Sequence, residues 1–358
     1  MRPTSLDSEA EFRLESAIRL AAGDAVFTLG GFSMNPTNPA QHRKAIWMLL
    51  LGNLLWGVSF PLIKSLVLLQ ARLLPGSSTW FITASTLLPR FTLGALVLGA
   101  ICFGAMRTLT RSEWKQGLGL GVFVTAGMIF QNDGLQFTSA STSAFLTQLY
   151  AIMIPAYLAL RLRRSPRWTV WVSGAMALAG MAILARLDWR DLRLGRGELE
   201  TLISSVFYMG QILWLGRAEF SGNRALPVTT LMFVVLALGS GVMSLALAPP
   251  GVNMLAMWTN GAWLGFTLIL TTVCTLAAFT IMNKWQPFIT TTEAGLLYCS
   301  EPVFTAMLAL FLPAWFSLWG SLNYANETLG ANLLLGGGLI TAANVLIQMN
   351  PRRPAAPA

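Results

Sequence analysis

The sequence predicts an all-α, polytopic membrane protein of about ten transmembrane helices in two inverted five-helix repeats. Three observations carry that expectation. The 358 residues are 54% hydrophobic and only 11% charged, with a mean hydropathy of +0.60, whereas a soluble domain carries about 25% charged residues. The apolar residues gather in runs long enough to cross a hydrocarbon core, which takes roughly 20 residues per helix. The two halves of the pattern also repeat weakly.

A polar lead, 1–45, comes first. It holds Asp7, Glu9, Glu11, Glu15 and Asp24, and Asp24 interrupts its one apolar patch, AAGDAVFTLGGF, which argues against a cleaved signal peptide. Met34 opens MNPTNPAQHRKAIW, an ordinary short lead into a span, and is the expected biological start. Apolar runs follow at 46–66, 83–103, 117–136, 139–160, 168–185, 199–216, 227–247, 262–282, 291–313 and 330–348. The connections are too short for a soluble domain, and the tail 351–358 is polar.

Charge sets the expected orientation. With the N-terminus cytoplasmic, the inner loops hold Arg107, Arg111 and Lys115, then Arg161, Arg163, Arg164 and Arg167, then Arg217 and Arg224, then Lys284, and finally Arg352 and Arg353. Cytoplasmic loops collect Lys and Arg in this way, so the net charge of +9 points to a lipid bilayer and not to nucleic acid. The outer loop 186–197 is the exception: Arg186, Arg190, Arg193 and Arg196 alternate there with Asp188 and Asp191. Cys102, Cys274 and Cys299 lie inside spans without C-x-x-C spacing, so neither a disulfide framework nor a metal or other cofactor is expected.

The repeat sets TSAFLTQLYAIM, from Thr142, against TEAGLLYCSEPV, from Thr292, so that Gln148 meets Tyr298 and Ala151 meets Glu301. SGAMALAGMAIL from Ser173 then aligns with GGLITAANVLIQ from Gly337. Five spans per half is an odd number, so the unit 198–350 inserts upside down relative to 46–186, with a binding site expected near the midplane between them.

LLWGVSFPLIKSL in the first span, PRFTLGALVL in the second, LQFTSASTSAFLTQLYAIMIPAYLALRLRRS across the fourth, GRGELETLISSVFYMGQ opening the sixth and SEPVFTAMLALFL in the ninth resemble the EamA family of the drug/metabolite transporter superfamily, over roughly 46–350. The resemblance implies ten helices, cytoplasmic ends and transport of small metabolites, frequently amino acids. The sequence departs from the family after the fourth span, where LRLRRSPRW stands in place of an acidic residue; Glu327 in NETLG is a candidate for the equivalent acid in the second half.

Glu301 is the leading candidate residue. An ionisable group at mid-depth in a span usually faces a cavity or a partner, and the adjoining Pro302 removes a backbone donor. Tyr298, three residues earlier, shares its face. Two readings stand side by side: a carboxyl that binds substrate or exchanges a proton, and a kink whose carboxyl is satisfied locally. In the first span Asn53, Trp56, Phe60 and Lys64 form one stripe, with Lys64 either at a gate or snorkelling to the outer surface. Ser205, Tyr208 and Gln211 line one side of the sixth span, and Gln148 matches Tyr298 by the repeat. The expected substrate-binding set is therefore Asn53, Trp56, Phe60, Gln148, Tyr208, Gln211, Tyr298 and Glu301. Lys64, Arg90 and Asp133 are expected to form an outer gate or an ion pair.

These features lead to a secondary transporter, exporting a small metabolite such as an amino acid from a bacterial cytoplasm across the inner membrane by alternating access. No G-x-x-x-x-G-K-[ST] occurs, which leaves no support for direct ATP drive. An intramembrane enzyme is the alternative from another class. The only histidine, His42, precedes the first span, and paired intramembrane aspartates are lacking, so no enzymatic activity is expected. A passive pore or scaffold is the third reading.

Overall fold

The computed structural model describes residues 39–138, 140–163, 165–184, 195–250 and 255–349. The expected start at Met34, most of the arginine-rich loop, and the tail with Arg352 and Arg353 lie outside them. Every described regular element is helical. A helix overlaps each of the ten predicted runs. Among the described residues five helical spans, some with short interruptions, are long and apolar enough to cross a membrane, or six if one bent pair counts as a single span. The fold is therefore that of an all-α polytopic membrane protein.

The first half begins with α1 (Pro39–Leu73), which starts on a proline at the position where a helix needs no N–H. Next come α2 (Thr79–Ile101), capped by Ser78, and α3 (Arg111–Gly134), opened by a capping box between Thr110 and Glu113. The fourth run is two helices, α4 (Ala140–Thr147) and α5 (Tyr150–Leu162), followed by α6 (Trp168–Leu184). The second half holds α7 (Arg196–Leu215) and α8 (Ala225–Leu247). Its eighth run is α9 (Gly261–Ile269), a π-helical stretch over Leu270–Ala277, and α10 (Ala278–Trp285). The ninth run is again two helices, α11 (Thr291–Tyr298) and α12 (Glu301–Leu308), after which α13 (Leu312–Gly320) bends away by 61°. The last helix is α14 (Ala331–Gln348).

The ninth run sharpens the sequence reading. The interruption is confined to Cys299 and Ser300, whose backbone stays right-handed helical, and the helix resumes at Glu301 with Pro302 in its first turn, where a missing N–H costs little. The fourth run breaks in the same way without a proline. At both breaks the chain tightens to i→i+3 bonding, with Leu149 N donating to Leu146 O at 3.3 Å and Ser300 N to Leu297 O at 3.1 Å.

The most extensive helix pairings are α2 with α8, α6 with α14, and α3 with both α7 and α8, while α1 packs on α12 and α10, and α4 on α7. Small residues permit the closest approaches, as in membrane helix packing generally. A Cβ on Gly57 would lie 2.9 Å from the Cβ of Phe304, so α1 and α12 meet backbone to side chain. One large apolar cluster runs through the middle of the bundle around Phe91, Phe233 and Phe279, and a second, around Leu62, Leu66 and Phe266, closes one end.

Candidate functional site

Both breaks face one cavity. It leaves about 80 Å³ for the centres of water-sized molecules, enough for a small solute, and is enclosed by α1, α2, α3, α7, α10 and the two broken runs. Trp56, Phe60, Gln148, Tyr208, Gln211, Tyr298 and Glu301 line it, as do Arg90, expected at a gate or ion pair, and Gln131, Asn132 and Tyr150, which the sequence reading had not assigned to substrate.

The apolar wall is built by contact. Trp56 meets Phe279 edge on at 5.2 Å between centroids and Tyr298 at 5.9 Å. Most of the polar wall is held in place by its own hydrogen bonds. Tyr208 donates to Gln131 Oε1 at 2.8 Å, and Gln131 Nε2 donates to Thr147 Oγ1 at 3.1 Å, tying α7, α3 and α4 together. Tyr298 donates to Gln286 Oε1 at 2.9 Å, and Gln211 Nε2 to Met282 Sδ at 3.3 Å. Each tyrosine hydroxyl has thus given its proton to a protein acceptor, which positions the ring. Gln148 Oε1 and Asn132 Oδ1, by contrast, are buried without a partner.

Two charged groups are different again. Arg90 is 1% exposed. Its Nε donates to Thr275 Oγ1 and its Nη2 reaches Cys274 O at 3.5 Å, while Nη1 has no partner. The π-helical stretch makes this possible: its wider turn lets Thr275 donate to Leu270 O, five residues back, at 3.0 Å. No carboxylate pairs with Arg90 among the described residues. Glu301 likewise makes no hydrogen bond and no ion pair there, and its side chain faces the cavity from the first turn of α12. The cavity therefore holds a guanidinium with a free donor and an unpaired carboxylate, too far apart to bond each other.

Two expectations are corrected, those for Asn53 and for an Arg90–Asp133 pair. Asn53 does not line the cavity; it is fully buried and its Nδ2 donates to Leu297 O at 2.9 Å and Ser300 Oγ at 2.8 Å, binding α1 to the break before Glu301. Lys64, expected either at a gate or snorkelling outward, is partly exposed and lies outside the lining. Arg90 and Asp133 do not pair. Asp133, in the last turn of α3, meets Arg196 of α7, because a carboxylate at a helix C-terminus needs a nearby cation and Arg90 is turned toward α9 and α10. Among the described residues no cluster of three His, Cys, Asp or Glu could hold a metal ion.

A second cavity, of about 380 Å³, is lined by Thr305, Asn326, Glu327 and Asn332 and shares Ala144 and Pro302 with the first. At the opposite end, Arg224 clamps Glu113 through Nε to Oε1 at 2.7 Å and Nη2 to Oε2 at 2.8 Å. Lys115 and Arg217 both reach Glu219. These pairs bring the α2–α3 and α7–α8 connections together.

Residues 43–186 match the EamA-like transporter family. That match supports membership of the drug/metabolite transporter superfamily and is consistent with a transporter-like, non-enzymatic membrane protein. No curated protein matches the chain. A solved crystal structure of a protein 18% identical superimposes with a TM-score of 0.60, over 86% of this chain and 97% of that one. At that identity the likeness is one of fold alone, but a coverage of 86% must extend beyond residue 186.

Proposed function

We propose that the chain is a secondary transporter that carries a small zwitterionic metabolite, an amino acid or a close relative, out of the cell by alternating access. The observation that carries this reading is the pair of unpartnered charges in one cavity. Arg90 offers a donor fork to a carboxylate, Glu301 offers acceptors to an ammonium, and Trp56, Phe60 and Phe279 offer an apolar surface to a side chain.

The packing supports two inverted halves. Matching α1 with α7, α2 with α8, α3 with the eighth run, the two broken runs with each other and α6 with α14 turns each major contact into another: α3 with α7 becomes the eighth run with α1, and α4 with α7 becomes α11–α12 with α1. The breaks fall at equivalent places, and discontinuous helices at a repeat interface are where such transporters bind their cargo. On this reading ten helices cross a bacterial inner membrane with both ends cytoplasmic. The second cavity is then the way out, passing Pro302 and Ala144 toward Glu327. Glu301 is the group that exchanges a proton when transport is driven by pH.

Counterflow in proteoliposomes tests this. Radiolabelled amino acids are expected to exchange, with amines and nucleobases inactive, and Glu301→Gln is expected to abolish pH-driven uptake while exchange persists. Unitary currents of single-channel size would overturn the reading in favour of a pore, and pH-driven uptake unchanged in Glu301→Gln would reduce Glu301 to a structural role.

A further inference from the structure

Away from the central cavity, at the end of the bundle that carries the α1–α2 connection, a charged pair on one helix meets a carboxylate 63 residues earlier in the sequence. Asp133 closes α3, and Arg196 and Glu200 open α7. Arg196 Nε donates to Glu200 Oε1 at 2.8 Å and its Nη2 donates to Asp133 Oδ2. The guanidinium is held between two rings, 5.3 Å from the centroid of Trp80 and 4.1 Å from that of Phe137. Nη2 also reaches Thr79 Oγ1 at 3.4 Å.

The two carboxyls are 0% and 7% exposed. Arg196 uses one oxygen of each, which brings both carboxyls onto one guanidinium; the others, Asp133 Oδ1 and Glu200 Oε2, are buried without a partner. Two buried carboxylates against one guanidinium, itself 44% exposed, leave a net charge of −1 at the helix ends. The C-terminal dipole of α3 adds repulsion. The helices leave no room for hydration, since a Cβ on Gly134 would lie 2.9 Å from Gly197 O and one on Gly197 2.8 Å from Gly134 O. Among the described residues the charged groups facing Asp133 are Arg196 and Glu200. The neighbouring elements bring neutral Thr79, Trp80, Gln136 and Ser143, and α8, which also packs on α3, carries no charged residue.

We propose that Asp133 and Glu200 share one proton, taken up from the aqueous phase at this end of the bundle, and that this proton completes a neutral latch with Arg196 that holds α3 against α7. Two carboxyls in contact bind a single proton as a unit, and the bound proton supplies the donor that the two free oxygens lack. Parting α3 from α7 would hydrate both carboxyls, separate Asp133 from Arg196 and release the proton. Acid at this face therefore keeps the latch shut.

Infrared spectroscopy of the full chain in lipid tests this without any transport measurement, so its outcome is independent of the substrate reading. In the Glu301→Gln background, which removes the cavity carboxyl, the C=O stretch of one protonated carboxyl is expected at mildly acidic pH. It should vanish when Asp133→Asn or Glu200→Gln is added, because the remaining carboxylate then pairs with Arg196 alone. Gly197→Ala keeps all three charges but wedges the helices apart, and should also remove the band. A band that survives these changes, or no band in Glu301→Gln itself, would overturn the proposal. Loss of the band on titration with sodium chloride, but not with choline chloride, would instead assign the site to an alkali cation.

Discussion

Asn53 offers the sharpest test of how the broken ninth run is held. Asn53→Ala removes two donated hydrogen bonds, 2.9 Å to Leu297 O and 2.8 Å to Ser300 Oγ, at a position that is 0% exposed. Between membrane helices such bonds average about 0.6 kcal/mol and reach about 1.7, so two amount to roughly 1–3 kcal/mol. The lower part of that range applies here for two reasons. Leu297 O keeps the Ser300 hydroxyl at 2.8 Å, and the substitution also removes Asn53 Oδ1, itself an unpartnered buried acceptor. A loss of about 1–2 kcal/mol lowers the melting temperature by on the order of 4 °C, measurable by intrinsic fluorescence with 13 tryptophans in the chain. Asn53→Asp at alkaline pH separates donation from packing: nearly isosteric, it turns a carboxylate oxygen toward the Leu297 carbonyl and should cost more than the alanine. If Asn53→Asp melts with the unaltered protein, the amide is not a donor to the break and this account of the junction fails.

Arg90→Lys keeps the charge but cannot reproduce the fork that reaches Thr275 and Cys274 while leaving Nη1 free; a loss of about 1.4 kcal/mol in carboxylate binding is a tenfold rise in the KM for uptake, and an unchanged KM would remove Arg90 from the binding site. Glu113 lies in the first turn of α3, before the apolar span begins, and the hydrogen bond from Arg224 holds its carboxyl down to about 2 from an ordinary 4.5. The folded value lies below the unfolded one, so the clamp's contribution to stability is fully present above pH 4.5 and is lost as pH falls through about 2. Glu113→Gln should therefore melt below the unaltered protein at neutral pH, with the difference closing across that acid window; a difference that persists at the acid end would show that packing, not charge, holds the connection.

The positions of the helices were legible because apolar run length is a direct consequence of bilayer thickness. The broken runs were half legible. Pro302 marks one break in the sequence, but Gln148 and Leu149 carry no such mark, and only the repeat alignment linked the two regions. The cavity residues on α1, α7 and α11 could be found because polar or aromatic groups at helical spacing stand out in an apolar run. Gln131 and Asn132 sit beside Asp133 and formed a similar signal, obscured by attention to the charge. The π-helical stretch that orients Arg90 was not legible, since the threonines around it read equally well as residues bonded to their own backbone, which Thr271 is, donating to Thr267 O at 2.7 Å. The Asp133–Arg196 pair was not legible for a different reason: Arg196 stands in the predicted loop 186–197 with Asp188 and Asp191 close in sequence, whereas Asp133 lies 63 residues earlier, on a helix end that only the folded chain brings near.

The distribution of unpaired polar atoms links these observations. In most of the bundle a buried hydroxyl donates to the carbonyl four residues back, as Thr229 does at 2.7 Å and Ser240 at 2.6 Å, so a polar residue there need imply no ligand. Leaving a buried polar atom unpaired costs about 1–3 kcal/mol, and several such atoms cluster in two places. Arg90 Nη1, Gln148 Oε1 and Asn132 Oδ1 border the central cavity, and Asp133 Oδ1 and Glu200 Oε2 belong to the two carboxyls that share Arg196 at the end of α3. Trp263 Nε1 and Asn344 Oδ1 are also unpartnered, away from both places, and nothing in the structure explains them. Asn132 and Asp133 are consecutive on α3, so one turn of helix carries both an open acceptor of the cavity and half of the latch. A movement that parts α3 from α7 must then displace Asn132 from the cavity wall and break the Tyr208–Gln131 bond. In this geometry the end of the bundle cannot open without disturbing the central cavity, a mechanical linkage of the kind that the proposed alternating access requires.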